Sequence, residues 1–185
     1  MAEAQLRLHD LDQPVEVGGF TVRTLASRHS PKPMGGEGAV IDKPLPQPAP
    51  IRAYKEGGTS DFLISRDGYV MLFKGSANWI PGALDDVRAN ALFLGVVLLG
   101  KADDAFVTGL LDATLGTMQP TIVILTHWND LFSPVHLHLP LQRELVDHTP
   151  AAFNKLIDRA DSDGVQIGIL DAYSKVVLPR PVHNA

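Results

Sequence analysis

The sequence predicts an α/β fold in which one β-sheet layer is flanked by helices. Its first half is rich in strand patterns, and its second half alternates apolar strand patterns with helical ones, which is typical of layered α/β domains. The 185 residues, of which 45% are apolar and 20% charged, can bury one hydrophobic core. A single domain over residues 1–185 is therefore expected.

Two hairpins are predicted in the first half. The stretch 15–22 alternates about Gly18-Gly19, and paired glycines supply the positive φ angles of a two-residue turn. The stretch 61–73 likewise reads as two strands on either side of Asp67-Gly68, which is a common turn dipeptide between strands.

Further strands are predicted where apolar residues run continuously. The runs 91–97 and 121–126 are typical of strands buried on both faces, and the second is preceded by Gln119-Pro120. Two shorter apolar stretches, 165–170 and 175–178, are predicted to close the sheet.

Two helices are predicted between these strands. Asp103 or Asp104 can cap a helix over 105–115, whose apolar residues recur near one face. Thr149-Pro150 is a typical helix start, and Gly164 marks the expected end of that second helix.

The segment 30–58 is dense in proline and glycine and is too long for an ordinary connection. Because it directly follows His29, it is a candidate lid over a site. A surface excursion without a role explains the same composition equally well.

Composition excludes several classes of partner. A formal net charge of −5 and the lack of a Lys/Arg run disfavour nucleic acids and anionic membrane surfaces. The longest apolar stretch, 89–100, is too short for a membrane span, and the chain has no cysteine for disulfides or thiolate metal ligands. The start shows no signal-peptide pattern, so a cytoplasmic location is expected.

Candidate site residues follow three of the predicted strands. His127 follows the apolar run 121–126, His29 follows a strand over 20–28, and a loop containing Ser76 and Asn78 follows the second hairpin. Ligands gather beyond strand ends of this kind, and imidazole is the commonest zinc ligand. From composition alone, a histidine that merely caps a strand is the more frequent explanation of His127, and a surface loop explains His29.

The order of these motifs resembles the C-terminal half of a metallo-β-lactamase-fold hydrolase. The resembling motifs are a strand ending in His29-Ser30-Pro31, a long loop, a strand followed by Gly75-Ser76-Ala77-Asn78, and a buried strand followed by His127-Trp128-Asn129-Asp130. The resemblance covers about 15–178 and is strongest to the branch with ascorbate-phosphate lactonases and phosphodiesterases. The family's main metal-binding string, H-x-H-x-D-H, does not occur in the sequence.

The resemblance implies half of an αββα sandwich and an incomplete metal site. His29 and His127 would be ligands of a weakly bound zinc or other divalent metal, with the remaining ligands in a missing N-terminal half. Ser76 stands where two-metal members have a bridging aspartate, and a neutral hydroxyl is a poor bridge. Ser76, Asn78 and Asp130 would contact the substrate or support the metal ligands, and Asp130, three residues after His127, could orient that ring. Asn78 and Asp130 are equally explained as ordinary turn residues without a function.

The implied activity is hydrolysis of an ester, lactone or phosphodiester by metal-bound hydroxide, with a small molecule as substrate. We expect this chain alone to be nearly inactive. The alternative is a non-catalytic binding or assembly module that associates with itself or with the missing half.

The remaining histidines are weaker candidates. His136-Leu137-His138 has the spacing of a metal-binding pair on a strand but lies between prolines. Three more histidines are treated as surface residues: His9, His148 and His183.

Overall fold

The part of the chain that the structure describes forms one seven-stranded sheet, whose strands are ordered as they occur in the sequence. The computed structural model describes residues 10–31, 36–135 and 138–179. The strands are β1 (Val15–Val17), β2 (Phe20–Ser27), β3 (Thr59–Arg66), β4 (Tyr69–Lys74), β5 (Ala91–Gly95), β6 (Ile122–Thr126) and β7 (Gln166–Ile169). The α/β fold class predicted from the sequence is confirmed.

The strand pairing changes from antiparallel to parallel in the middle of the sheet. Strands β1 to β4 pair antiparallel, whereas β4 to β7 pair parallel. Both predicted hairpin turns are present, with positive φ angles at Gly18 (57°) and Gly19 (81°) and at Asp67 (50°) and Gly68 (77°). The turn residues thereby set the register of the antiparallel half.

Two helices cover one face of the sheet. Helix α1 (Asp104–Leu111) continues into a π-helical turn (Asp112–Gly116), and its cap is Asp103, whose carboxylate accepts a hydrogen bond of 2.7 Å from the Phe106 amide. Helix α2 (Thr149–Asp163) has proline in its first turn and ends at Gly164, whose φ is 69°. Both predicted helices are confirmed.

The main core lies between these helices and the sheet. Its members are side chains from one face of β4, β5 and β6 and from the facing stripes of the helices. They include Leu72, Leu92, Leu94, Val123, Leu125, Leu110, Leu111, Leu115 and Leu156.

The opposite face of the sheet is only partly covered. A smaller buried cluster of Ala91, Ile122 and Ile124 packs against Leu170 and Leu178. The segment that contains Leu178 crosses this face without pairing, so the strand predicted at 175–178 is wrong. The adjacent Val177 is 95% exposed, and singly exposed apolar residues of this kind are common on protein surfaces.

In the long loop, the described part from 36 to 58 contains one short 3-10 turn, Ile51–Ala53, and is mostly exposed. Within the described ranges, no helix is both long and apolar enough to cross a membrane.

Candidate functional site

Three strand ends lie on one edge of the sheet. Strand β2 runs parallel to β4, because each is antiparallel to β3, and β4, β5 and β6 are parallel to one another. The C-terminal ends of β2, β4 and β6 therefore share an edge, which we call the rim. His29, Gly75 and His127 follow these ends.

His29 is held to the rim by its own loop and by the loop after β4. Its ring Nδ1 lies 3.0 Å from the Ser30 carbonyl oxygen, which can only accept, so Nδ1 carries the proton in this bond. The Nδ2 of Asn78 donates to the His29 carbonyl at 2.7 Å. The buried Ser30 hydroxyl accepts from the Ala77 amide at 3.0 Å, which joins the two loops again.

Asn78 uses both ends of its amide inside the protein. Its Nδ2 holds His29, and its Oδ1 accepts from the Trp79 amide at 2.8 Å. Trp79 in turn packs on α1, with its ring centroid 5.3 Å from that of Phe106. Ser76 is nearly buried between these contacts, and its carbonyl accepts from the Asn78 amide at 2.9 Å.

His127 adopts a left-handed backbone conformation, with φ of 57°. Residues other than glycine rarely adopt this region, and such outliers cluster at functional sites. The Gly75 carbonyl, which follows the end of β4, lies near this ring. Burial lowers the pKa of His127, the Gly75 carbonyl raises it, and the nearby His29 lowers it, with a net downward shift that favours neutral imidazole.

The two histidines lie close enough on the rim to influence each other, since His29 contributes to lowering the pKa of His127. The His29 ring donates its Nδ1–H to the Ser30 carbonyl. In a neutral ring of this kind Nε2 is free to bind a metal ion, which is the usual arrangement of a metal-binding histidine.

Asp130 is engaged within its own loop. Its carboxylate accepts from the Phe132 amide (3.0 Å), the Ser133 hydroxyl (2.7 Å) and Arg143 Nε (2.9 Å). These bonds lower its pKa. The arrangement organises the loop after β6, and the predicted role of Asp130 toward His127 stays a prediction.

A buried ion pair lies below the rim and was not singled out in the sequence. Lys74 Nζ donates to Asp61 Oδ2 at 2.8 Å and to the Ser27 hydroxyl at 2.9 Å, and both charged side chains are 1% exposed. The hairpin predicted from the sequence could have indicated this pair. The pairing of Phe62 with Phe73 places Asp61 opposite Lys74, one residue further along each strand.

A cleft of about 200 Å³ opens beside His29. In its wall, the Glu56 carboxylate accepts from the Gly38 amide (2.7 Å), from the Gly58 amide (3.0 Å) and from the Thr59 hydroxyl. Arg28 pairs with Glu37 at 2.8 Å. Hydrogen bonds and an ion pair therefore hold the long loop near His29, through Glu37 on its N-terminal side and Glu56 on its C-terminal side.

A larger cleft of about 620 Å³ lies at the opposite edge of the sheet, beside Thr121 and Gly164. Its one charged lining residue, Asp163, already pairs with Arg159 at 2.6 Å. It contains none of the candidate residues, and we assign the site to the rim.

The remaining histidines lie elsewhere. His138 is exposed and its Nδ1 lies 3.2 Å from Asp171 Oδ2, while His148 is exposed at the start of α2. His136 lies outside the described residues, so the 136–138 pair is not tested, and His9 and His183 also lie outside them. Across 10–31, 36–135 and 138–179, no group of three His, Cys, Asp or Glu residues could hold a metal ion.

Comparison with known proteins gives limited similarity. No family model matches the chain, and no curated protein matches it significantly. Among solved structures, one similar protein is assigned as a zinc-dependent hydrolase of the metallo-β-lactamase superfamily from Thermotoga maritima, with 10% identity, a TM-score of 0.37, and coverage of 69% of this chain and 52% of that one. Another is zinc-bound PqqB from Methylobacterium extorquens, with 12% identity, a TM-score of 0.43, and coverage of 87% of this chain and 52% of that one. The chain thus spans about half the length of each.

Proposed function

We propose that the rim carries part of the metal site of a metallo-β-lactamase-type hydrolase, with His29 and His127 as ligands. The observation that carries the proposal is the position of the two histidines, which follow the ends of β2 and β6 on one rim. The His29 ring donates its Nδ1–H to the Ser30 carbonyl, which leaves Nε2 of the neutral ring free for a metal ion. The motif order of the sequence supports the choice of family.

The residues present do not complete a catalytic zinc site. Such a site generally uses three protein ligands and a water, and the described ranges contain no group of three His, Cys, Asp or Glu residues that could hold a metal ion. Ser76 offers a hydroxyl where the family has a carboxylate. The remaining ligands would come from residues outside this set, on another part of the protein or another chain.

The proposed reaction class is hydrolysis of an ester, lactone or phosphodiester. A bound divalent metal would supply an acidified water and polarise the substrate. The chain's own residues hold the rim in place, because Asn78 donates to the His29 carbonyl and the Ser30 hydroxyl accepts from the Ala77 amide.

The test is calorimetric titration of the metal-free protein with zinc. We expect weak binding, reduced by His29→Asn and by His127→Asn by more than the roughly 10–100-fold that loss of an outer-shell partner costs. Asparagine is chosen because it tolerates the left-handed backbone of His127. His138→Asn is the matched control and should leave zinc binding unchanged.

Two outcomes would contradict the proposal. One is zinc binding that is insensitive to both rim variants, and the other is binding that only His138→Asn removes, which would favour the 136–138 pair. Turnover of generic phosphodiesters and lactones by the isolated chain should be negligible. Efficient turnover would show that the site is already complete.

The alternative function is an assembly module. The sheet face opposite the helices presents Phe62, which is 45% exposed, beside Phe73 and Phe93, whose stacked rings lie 4.2 Å apart. An apolar sheet face of this kind favours pairing with a second copy of the chain.

Sedimentation at tens of micromolar tests the alternative. Self-association that Phe62→Glu abolishes would support it, with Ile51→Glu as control because Ile51 is exposed on the long loop. A stable monomer would exclude it. Because this experiment involves no metal, its result is independent of the zinc titration.

A further inference from the structure

The inference concerns Glu56, whose carboxylate joins the two ends of the long loop. Its Oε2 accepts from the Gly38 amide at 2.7 Å and from the Gly58 amide at 3.0 Å. Its Oε1 accepts from the Thr59 hydroxyl. Gly38 precedes Glu56 by 18 residues, so one side chain holds together backbone segments that are distant in the chain.

A backbone hydrogen bond closes the loop at the same place. The Gly57 amide donates to the Ala39 carbonyl at 2.8 Å. We call residues 38–39 and 56–58 the neck of the loop. Gly57 and Gly58 have φ angles of 83° and 92°, which residues with side chains rarely adopt, so the sequence favours the tight curl of the backbone at this point.

The neck is joined to the rim through Thr59. Thr59 is the first residue of β3 and pairs with Ser27, the last residue of β2, two residues before the half-buried His29. The cleft of about 200 Å³ lies between these strand ends and the neck. Its lining includes Ser27, His29 and Thr59 from the rim and Gly38, Glu56 and Gly58 from the neck. The neck is therefore one wall of the cleft beside His29.

Glu56 is a stronger link between the loop and the rim than the nearby ion pair is. Arg28 and Glu37 pair at 2.8 Å, but both side chains are more than half exposed, and exposed ion pairs contribute little stability. Glu56 accepts three hydrogen bonds, and bonds to a charged acceptor are roughly twice as strong as bonds between neutral groups. Closure of the neck therefore depends chiefly on Glu56.

We propose that Glu56 is a clasp, which holds the neck closed against the rim and thereby limits access to the His29 ring. Without its carboxylate the neck opens as a unit. The bond from Gly57 to Ala39, in which Glu56 takes no part, is then lost together with the bonds that Glu56 accepts. The inference rests on the geometry of the cleft and does not require His29 to bind a metal ion.

The test compares Glu56→Ala with the matched control Asp42→Ala. Asp42 is an exposed residue of the same loop, so the control removes the same charge outside the neck. Amide hydrogen exchange, followed by NMR, reports how often the neck opens at Gly38, Gly57 and Gly58.

A second measurement reports access to His29. Diethyl pyrocarbonate acylates the unprotonated nitrogen of imidazole, and mass spectrometry of peptides gives the rate at each histidine. His138, whose side chain is 93% exposed, is the reference within the same protein.

In Glu56→Ala, we expect amide exchange in the neck to become about 10–100-fold faster, as for the loss of hydrogen bonds to a charged group. Acylation of His29 should become faster with it, while acylation of His138 should not change. Asp42→Ala should leave the exchange and acylation rates at their wild-type values.

Three results would overturn the inference. They are unchanged exchange of the Gly57 amide in Glu56→Ala, an opened neck with unchanged acylation of His29, and an equal effect of Asp42→Ala. Should Glu56→Ala not fold, Thr59→Val decides, because it removes one donor to the carboxylate and should give the same changes to a smaller extent. No metal is present in these measurements, so a failure of the clasp and a failure of the proposed zinc site are distinguishable.

Discussion

Lys74 Nζ lies 2.8 Å from Asp61 Oδ2, and both side chains are 1% exposed, so a complete ion pair is buried directly below the rim. Burial raises the pKa of Asp61, and the charge and hydrogen bond of Lys74 oppose that rise. Asp61 Oδ1 has no hydrogen-bond partner among the described atoms, so the buried Asp61 carboxylate depends heavily on Lys74.

Lys74→Met should therefore destabilise the fold by about 3–5 kcal/mol, because it leaves a buried carboxylate without its cation. The double variant Lys74→Met with Asp61→Asn should recover much of this loss, since no unpaired charge then remains. Urea unfolding measures both. Lys155→Met, which breaks the exposed pair with Asp104, is the control and should have a far smaller effect. A double variant no more stable than Lys74→Met would contradict this account.

Gly109→Ala should destabilise the protein although it places alanine in a helix. A Cβ at position 109 would lie 2.8 Å from Trp79 Cη2, so the indole must move, at a cost of about 1–3 kcal/mol. The control Gly116→Ala meets Arg159 Nη2 at 3.0 Å and otherwise only the Leu111 carbonyl at 3.9 Å. Arg159 is held by ion pairs to Asp112 and Asp163, so we expect a small loss of stability, below that of Gly109→Ala. Denaturant unfolding compares the two, and equal stabilities would refute the predicted clash.

Asp130→Asn should remove part of the stability at neutral pH. Hydrogen bonds from the Phe132 amide, Ser133 and Arg143 lower the pKa of Asp130 in the folded protein. Asp130 therefore contributes to the free energy of unfolding above the ordinary aspartate pKa of 3.8. That contribution is lost as the pH falls through the lower pKa of the folded state. The difference between wild type and variant should thus be largest near neutral pH and shrink in acid. Thermal unfolding across this range measures it, with the exposed Asp86→Asn as control. A difference that grows in acid would have the wrong sign.

Ser76→Asp should strengthen zinc binding if the rim is a metal site. The substitution puts a carboxylate in the loop after β4, between Gly75 and Asn78, and Asn78 donates to the His29 carbonyl. A third protein ligand would bring the site to the number typical of catalytic zinc. Calorimetry should show a gain in affinity that His127→Asn removes, and no gain for the exposed Ser174→Asp. Weaker binding in Ser76→Asp would place the hydroxyl away from the metal.

Local signals explain why most elements could be predicted. The Gly18-Gly19 and Asp67-Gly68 turns need positive φ angles, the run before His127 is apolar enough to be buried on both faces, and Asp103 caps α1. Each signal depends on a few neighbouring residues. The strand expected at 175–178 fails because its apolar pattern is equally satisfied by packing Leu178 on the sheet without pairing.

What the sequence determined by itself is the α/β class, the hairpin registers, the helix ends and the placement of His29 and His127 after strands. Only the tertiary structure decided which atoms meet at the rim. The Gly75 carbonyl packs against Gly95, where a Cβ would lie 2.3 Å from its oxygen, and Asn78 donates to the His29 carbonyl from 49 residues away. Such contacts join segments distant in the chain, and their geometry follows from strand order and close approach rather than from local preference.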